Sequence, residues 1–251
     1  MHFTRTGGNK PPVILMHGLT ANGACWTEVA HHLEGDFDLI MPDARGHGGS
    51  SKPAAGYCYQ DHANDVVGLL QALLLPPAIL VGHSMGGMTA ALVASRHPEL
   101  LDRLILADPT FLSLDVQRQV HESNAADQHR HYLNMTGEEI AAESRVKHPN
   151  RSEETTELIA KARLQTSIDA FEVLTPPNPD FIQVVSAIEI PTLLIIGGPT
   201  GVVSPEVAAS LQRINPRLQT AQIPEAGHGL HYDHPEHFVK LVKAFLHSNN
   251  L

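Results

Sequence analysis

Gly82-His83-Ser84-Met85-Gly86-Gly87 sets a serine between glycines, directly after the apolar run Ala78-Ile79-Leu80-Val81 and directly before a helical pattern. A sharp strand-to-helix turn exposes a hydroxyl at its apex, and it needs residues without Cβ where strand and helix pass closely. Gly82 and Gly86 meet that need. A serine hydroxyl is a weak nucleophile until a neighbouring base takes its proton, so Ser84 needs a histidine from elsewhere in the chain. Ile223-Pro224-Glu225-Ala226-Gly227-His228-Gly229 offers one, in a loop with glycine on both sides of the imidazole. His231, His234 and His237 are rivals, but they lack the Gly-His-Gly setting, and His237 falls in the last helical pattern. Together Ser84 and His228 would carry out acyl transfer, the serine attacking and the imidazole acting first as base and then as acid.

A nucleophile turn and a histidine loop can cooperate only at one edge of a sheet. Short β-rich apolar runs at 13–16, 38–41, 78–81 and 103–107 alternate with helical spacing over 24–33, 61–74 and 85–96, the pattern of a parallel sheet flanked by helices. Asp61 is placed to act as N-cap of the second of these helices. The alternation resumes with a strand at 192–196, then Ser204-Pro205-Glu206 as the cap and first turn of a helix to about residue 213. A strand at 218–223 and a helix over 235–247 follow. The fold class is therefore α/β, with a mostly parallel sheet and flanking helices.

From 111 to 187 the alternation stops. This stretch is polar, with helical spacing near 114–133, 136–147, 152–165 and 168–174 and a bend at Thr175-Pro176-Pro177-Asn178-Pro179. An excursion of that length needs structure of its own. The chain accordingly divides into a core, 1–110 with 188–251, and an inserted helical subdomain, 111–187.

Asp108 follows the strand 103–107, which comes directly after the Ser84 unit. Parallel strands end on the same side of the sheet, so a carboxylate just past this strand lies on the edge that carries Ser84, and Asp108 is expected to be the acid that pairs with His228 and completes the catalytic triad. Its rivals are Glu206, which opens a helix and suits the helix dipole, and Glu225 and Asp233, which are tied to the His228 loop. A turn or capping role before Pro109 is the plain alternative for Asp108.

Composition narrows the partners. The 251 residues carry 17 Lys and Arg against 27 Asp and Glu, a net charge of −10, with no basic run to follow a phosphate backbone. Nucleic acid is excluded as a partner. The apolar runs fall far short of the roughly 20 residues that span a bilayer, no leader pattern opens the chain, and a cytoplasmic protein acting on a small-molecule substrate is expected. Cys25 and Cys58 match no disulfide or metal pattern. The 17 histidines raise the question of a metal, but neither H-E-x-x-H nor a C-x-x-C partner occurs. No metal or cofactor is expected, and most of the histidines read as surface residues.

These residues resemble the α/β-hydrolase superfamily. The likeness covers 13–107 and 190 to the end, through His17-Gly18-Leu19, Asp43-Ala44-Arg45-Gly46-His47-Gly48-Gly49-Ser50, the Ser84 turn and Ala226-Gly227-His228. The resemblance implies that the backbone N–H groups of Leu19 and Met85 form an oxyanion hole. It also implies that 111–187 is a cap over the pocket, inserted after the sixth strand of the family, and that 43–50 is an architectural loop. Two departures stand out. Only twelve residues precede Val13, so the first edge strand of the family is expected to be missing. The triad acid of the family usually follows the strand at 192–196, yet Gly197-Gly198-Pro199-Thr200-Gly201-Val202-Val203-Ser204-Pro205 contains no carboxylate. Some members carry the acid after the strand that precedes Asp108 here.

The resemblance implies a cofactor-independent serine hydrolase that cleaves an ester, thioester or lactone bond of a small neutral substrate through an acyl-enzyme. A nucleophile position held by Ser rather than Asp argues against dehalogenase and epoxide hydrolase chemistry. C–C bond hydrolysis, perhydrolysis, a cofactor-free lyase or oxygenase reaction, and a ligand-binding receptor with vestigial turnover remain as alternatives. Apolar residues of the insert, among them Leu112, Leu133, Met135, Ile140, Phe171 and Leu174, are expected to line the pocket.

Overall fold

The computed structural model describes residues 1–248. Its strands are β1 (Phe3–Arg5), β2 (Pro12–Met16), β3 (Asp38–Pro42), β4 (Ala78–His83), β5 (Leu101–Ala107), β6 (Thr192–Ile196) and β7 (Leu218–Gln222). They form one sheet in the order β1-β3-β2-β4-β5-β6-β7. The edge strand β1 runs antiparallel to β3, and all other neighbours are parallel. The described sheet thus has seven strands, with the short β1 as the first of them.

Every residue of β2, β4 and β6 is buried, as strands covered by helices on both faces must be. Alternation sends Ile14, Leu80 and Leu194 to one face, where helices α2 (Tyr59–Ala72) and α3 (Met85–Arg96) pack. Leu15, Val81 and Ile195 face the other way, onto α1 (Thr27–Leu33) and the last helix, Pro235–His247. No helix among the described residues is long and apolar enough to cross a membrane.

Two local expectations are corrected. The N-cap of α2 is Cys58, and Asp61 is the third helical residue, whose carboxylate accepts the Cys58 N–H at 3.1 Å. That is the reciprocal bond of a capping box, so an acid three residues into a helix can be mistaken for its start. The segment 24–33 is a 3-10 turn, Gly23–Trp26, capped by Asn22, followed by α1.

Between β5 and β6 lie α4 (Leu114–Glu122), α5 (Ala125–Tyr132), α6 (Gly137–Lys147), α7 (Glu153–Leu164), a 3-10 segment (Ile168–Leu174) and α8 (Phe181–Ser186). The single helix expected over 114–133 is broken at Ser123-Asn124. Ile140, Ala141 and Ala160 form a small apolar seam of α6 and α7, with Met135 and Leu164 packed against it. The sequence pattern does not show α8, which places Val184 and Val185 in the same core cluster as α3 and α9 (Pro205–Ile214).

Candidate active site

Parallel β4, β5 and β6 deliver their C-terminal ends to one edge, with His83 opposite Ala107 and Ala107 opposite Ile195. The residues that follow the first two strands are Ser84 and Asp108. Ser84 has φ 54° and ψ −118°, a conformation L-residues rarely adopt, and it is held there by its N–H to the carbonyl of Ala107 at 3.1 Å. A Cβ on Gly82 would overlap the Gly86 carbonyl, and one on Gly86 would come within 2.5 Å of the Met16 carbonyl oxygen. Close passage of β4, α3 and β2 therefore imposes the glycines around Ser84.

Asp108 is fully buried, with φ 42°, and its N–H donates to Ile195 at 2.8 Å. Its carboxylate accepts the N–H of Val202 at 2.8 Å and of Val203 at 3.0 Å. The loop after β6, which lacks a carboxylate of its own, thus supplies two backbone donors that orient the carboxylate of Asp108. Oδ2 of Asp108 lies 2.6 Å from Nδ1 of His228, and Nε2 of His228 lies 2.9 Å from Oγ of Ser84. With Nδ1–H donating to the carboxylate, Nε2 is the free lone pair that accepts the serine hydroxyl. The rival acids lie elsewhere: Glu225 contacts His237 at 3.1 Å, Asp233 contacts Arg151 at 2.7 Å, and Glu206 sits in the first turn of α9.

The His228 loop is fixed from two sides. Gly198 donates to the Ala226 carbonyl at 2.7 Å, and Nε2–H of His83 donates to the His228 carbonyl at 2.8 Å. Burial, reinforced by the neighbouring His228, pushes the His83 pKa well below the ordinary histidine range, so His83 is a neutral donor. Nothing in the sequence marks His83, since the position between glycine and serine in such a turn carries no spacing signal.

The loop after β2 passes over Ser84, and a Cβ on Gly18 would come within 3.0 Å of the Ser84 Cβ. His17 holds it: Nε2 accepts the Ala44 N–H at 2.9 Å, so Nδ1–H donates to the Gly18 carbonyl at 2.8 Å. Among the described residues no acceptor takes the N–H of Leu19 or of Met85. In the loop 43–50, Asp43 accepts the N–H groups of Gly23 and Gly49, both at 2.8 Å, and contacts His2 at 2.8 Å.

A family model described as the alpha/beta hydrolase fold matches residues 11–235. The chain belongs to that family. It is 26% identical to a 2-(acetamidomethylene)succinate hydrolase of Mesorhizobium japonicum over 96% of this chain and 90% of that protein. It is 29% identical to an N-formylmaleamate deformylase of Pseudomonas putida over 98% of this chain and 92% of that protein. A crystal structure of E-2-(acetamidomethylene)succinate hydrolase superposes with a TM-score of 0.83 at 24% identity, covering 98% of this chain and all of the other.

In this α/β hydrolase a cavity of about 540 Å³ opens over Ser84 and His228. Its other wall corrects the expected lining: none of Leu112, Leu133, Met135, Ile140, Phe171 or Leu174 borders it. Phe171 stacks on His129, Leu174 packs against the main core and Ile140 sits in the α6–α7 seam. The insert instead presents Lys147, His148, Arg151, Ile159 and Arg163, from the end of α6, the following loop and α7. Glu28 anchors the start of α7 through Ser152 at 2.8 Å and Thr155 at 2.6 Å. Arg151 and Arg163 were not singled out in the sequence because a helix–loop–helix face turns toward the site only through its docking.

Proposed function

We propose that Ser84 is the nucleophile of a cofactor-independent hydrolase that cleaves an ester, thioester or lactone bond of a small substrate through an acyl-enzyme. The observation that carries the reading is the unbroken hydrogen-bonded chain from Asp108 through His228 to Ser84. Oγ of Ser84 attacks the carbonyl carbon while its proton passes to Nε2 of His228, and Asp108 stabilises the resulting imidazolium. The unengaged N–H groups of Leu19 and Met85 receive the developing oxyanion. His228 then returns the proton to the departing alcohol or thiol, and afterwards takes one from the water that releases the acid. The helical insert serves as a cap that closes the pocket and selects the acyl compound. Cleavage of an acyl amide is a second reading, favoured by a relative of nearly full coverage whose name is a deformylase.

A fluorophosphonate should label one residue, Ser84, and p-nitrophenyl acetate should give multiple turnovers. Ser84→Ala should abolish both while the circular dichroism spectrum stays the same, with kcat lower by roughly 10³-fold or more. Labelling without turnover would instead mark a receptor, and turnover retained by Ser84→Ala would end the acyl-enzyme reading.

A further inference from the structure

Arg163 borders the cavity over Ser84 and also a recess of about 70 Å³ that shares Lys147, His148, Arg151 and Ile159 with it. The other permanently charged side chains of these walls have partners. Arg151 donates to Asp233 at 2.7 Å, Lys147 to Glu143 at 3.0 Å, and Glu225 on the opposite rim contacts His237 at 3.1 Å. The Arg163 side chain has no hydrogen bond and no ion pair among the described residues. Its guanidinium is held by the ring of Tyr132, with Cζ 4.4 Å from the centroid, which engages the face of the fork and leaves the N–H edge unused. In the same recess Oγ of Ser144 is buried without a partner.

A half-buried guanidinium with no acceptor gives up part of its hydration without return. Burial pushes the Arg163 pKa down and the charge of Arg151 adds to that, against an opposing pull from Tyr132 and Glu143. An anion would relieve both effects, and the planar fork of arginine fits a carboxylate through two parallel hydrogen bonds.

We propose that Arg163, with Arg151 beside it, forms a carboxylate-binding subsite, and that the substrate carries a carboxylate which docks there while its scissile carbonyl lies over Ser84. The neutral substrate expected from the sequence depended on an apolar wall that the insert does not present. A single free guanidinium suits a monoanionic group better than a phosphate dianion. The proposal rests on Ser84 being the nucleophile, so its test has one arm that needs no acyl chemistry.

In the kinetic arm, p-nitrophenyl hemiesters of succinate, glutarate and adipate are compared with p-nitrophenyl pentanoate. At least one hemiester should exceed the neutral ester by about tenfold or more in kcat/KM, chiefly through KM, and the advantage should shrink as salt rises. Arg163→Met should collapse that ratio toward unity and Arg163→Lys should restore part of it. In the binding arm, calorimetry follows succinate, glutarate and adipate binding to Ser84→Ala, with and without Arg163→Met. Binding that Arg163→Met removes, without hydrolysis of any ester, would keep the subsite and discard the nucleophile. Equal rates on charged and neutral esters in the wild type, or diacid binding indifferent to Arg163→Met, would overturn the subsite.

Discussion

Oδ2 of Asp108 lies 2.6 Å from Nδ1 of His228 across 120 residues of sequence, and the same carboxylate takes the N–H groups of Val202 and Val203. Two donors come from the backbone and one from the imidazole, so the carboxylate has a single orientation in which Nδ1 carries the proton. Asp108→Asn keeps the shape but removes the negative charge, and because Val202 donates to Oδ2 and Val203 to Oδ1, the NH₂ meets a valine N–H whichever way the amide turns. With the NH₂ at the Oδ2 position Nδ1 has to accept, which puts the hydrogen on Nε2 and stops it accepting from Ser84; with the oxygen there, the imidazolium still loses its counter-charge. We expect kcat on a p-nitrophenyl ester to fall by up to roughly 10⁴-fold with unchanged circular dichroism. An Asp108→Asn enzyme with wild-type kcat would remove Asp108 from the mechanism.

His83 supports the His228 loop by its bond to the His228 carbonyl, and its ring packs against the His228 ring with centroids 4.7 Å apart. Replacing it by leucine leaves that carbonyl without its donor and lets the loop settle away from Ser84. The expected result is a fall of about tenfold or more in kcat and a loss of about 1–3 kcal/mol in stability, the usual cost of an unpaired buried carbonyl. KM for a neutral ester should change less than kcat. If kcat held while stability fell, His83 would be a packing residue and nothing more.

The elements that carry strong periodicity were legible. Expected and observed bounds coincide for 85–96, 192–196 and 235–247, because these segments have an unbroken buried face and a clear cap or stop. The proximity of Asp108 to His228 was legible too, since a parallel sheet leaves its strand ends little freedom of place. The break at Ser123-Asn124 was not, as neither residue excludes a helix. Nor was the pocket wall: Arg163 and Lys147 have the spacing of an ordinary solvated face, and that face is turned toward Ser84 by the docking of α7, through Glu28 and through Ile159 and Ala162 packed with Ala21, Cys25 and Tyr232.

Cys25 and Cys58 should differ sharply in reactivity. Burial raises the Cys25 thiol to about 12, whereas Cys58 is exposed at the start of α2. Since the thiolate is the reactive form, a thiol reagent at pH 8 should modify one cysteine in the native protein and two in denaturant. Mass spectrometry of the digested protein should place the native label on Cys58. Rapid native labelling of Cys25 would mean that the 3-10 turn carrying it opens readily.

Six histidines are buried rather than at the surface: His17, His47, His62, His83, His129 and His231. Burial pushes the pKa of each below the ordinary value, that of His62 to about 4. Each therefore takes up its proton less readily in the fold than in the unfolded chain, where histidine titrates near 6.5. Between the folded and unfolded values the unfolded state binds more protons, so stability rises with pH there and falls on acidification. For His62 the window runs from about 6.5 down to about 4, and its shift alone corresponds to about 3 kcal/mol. The urea midpoint should accordingly drop steadily from pH 7.5 to pH 5, a range in which most carboxylates stay ionised. His62→Phe, which removes one protonation site from the unfolded chain, should make that decline shallower. A midpoint that stayed flat or rose between pH 7.5 and pH 5 would show that these histidines are protonated inside the fold, contrary to their burial.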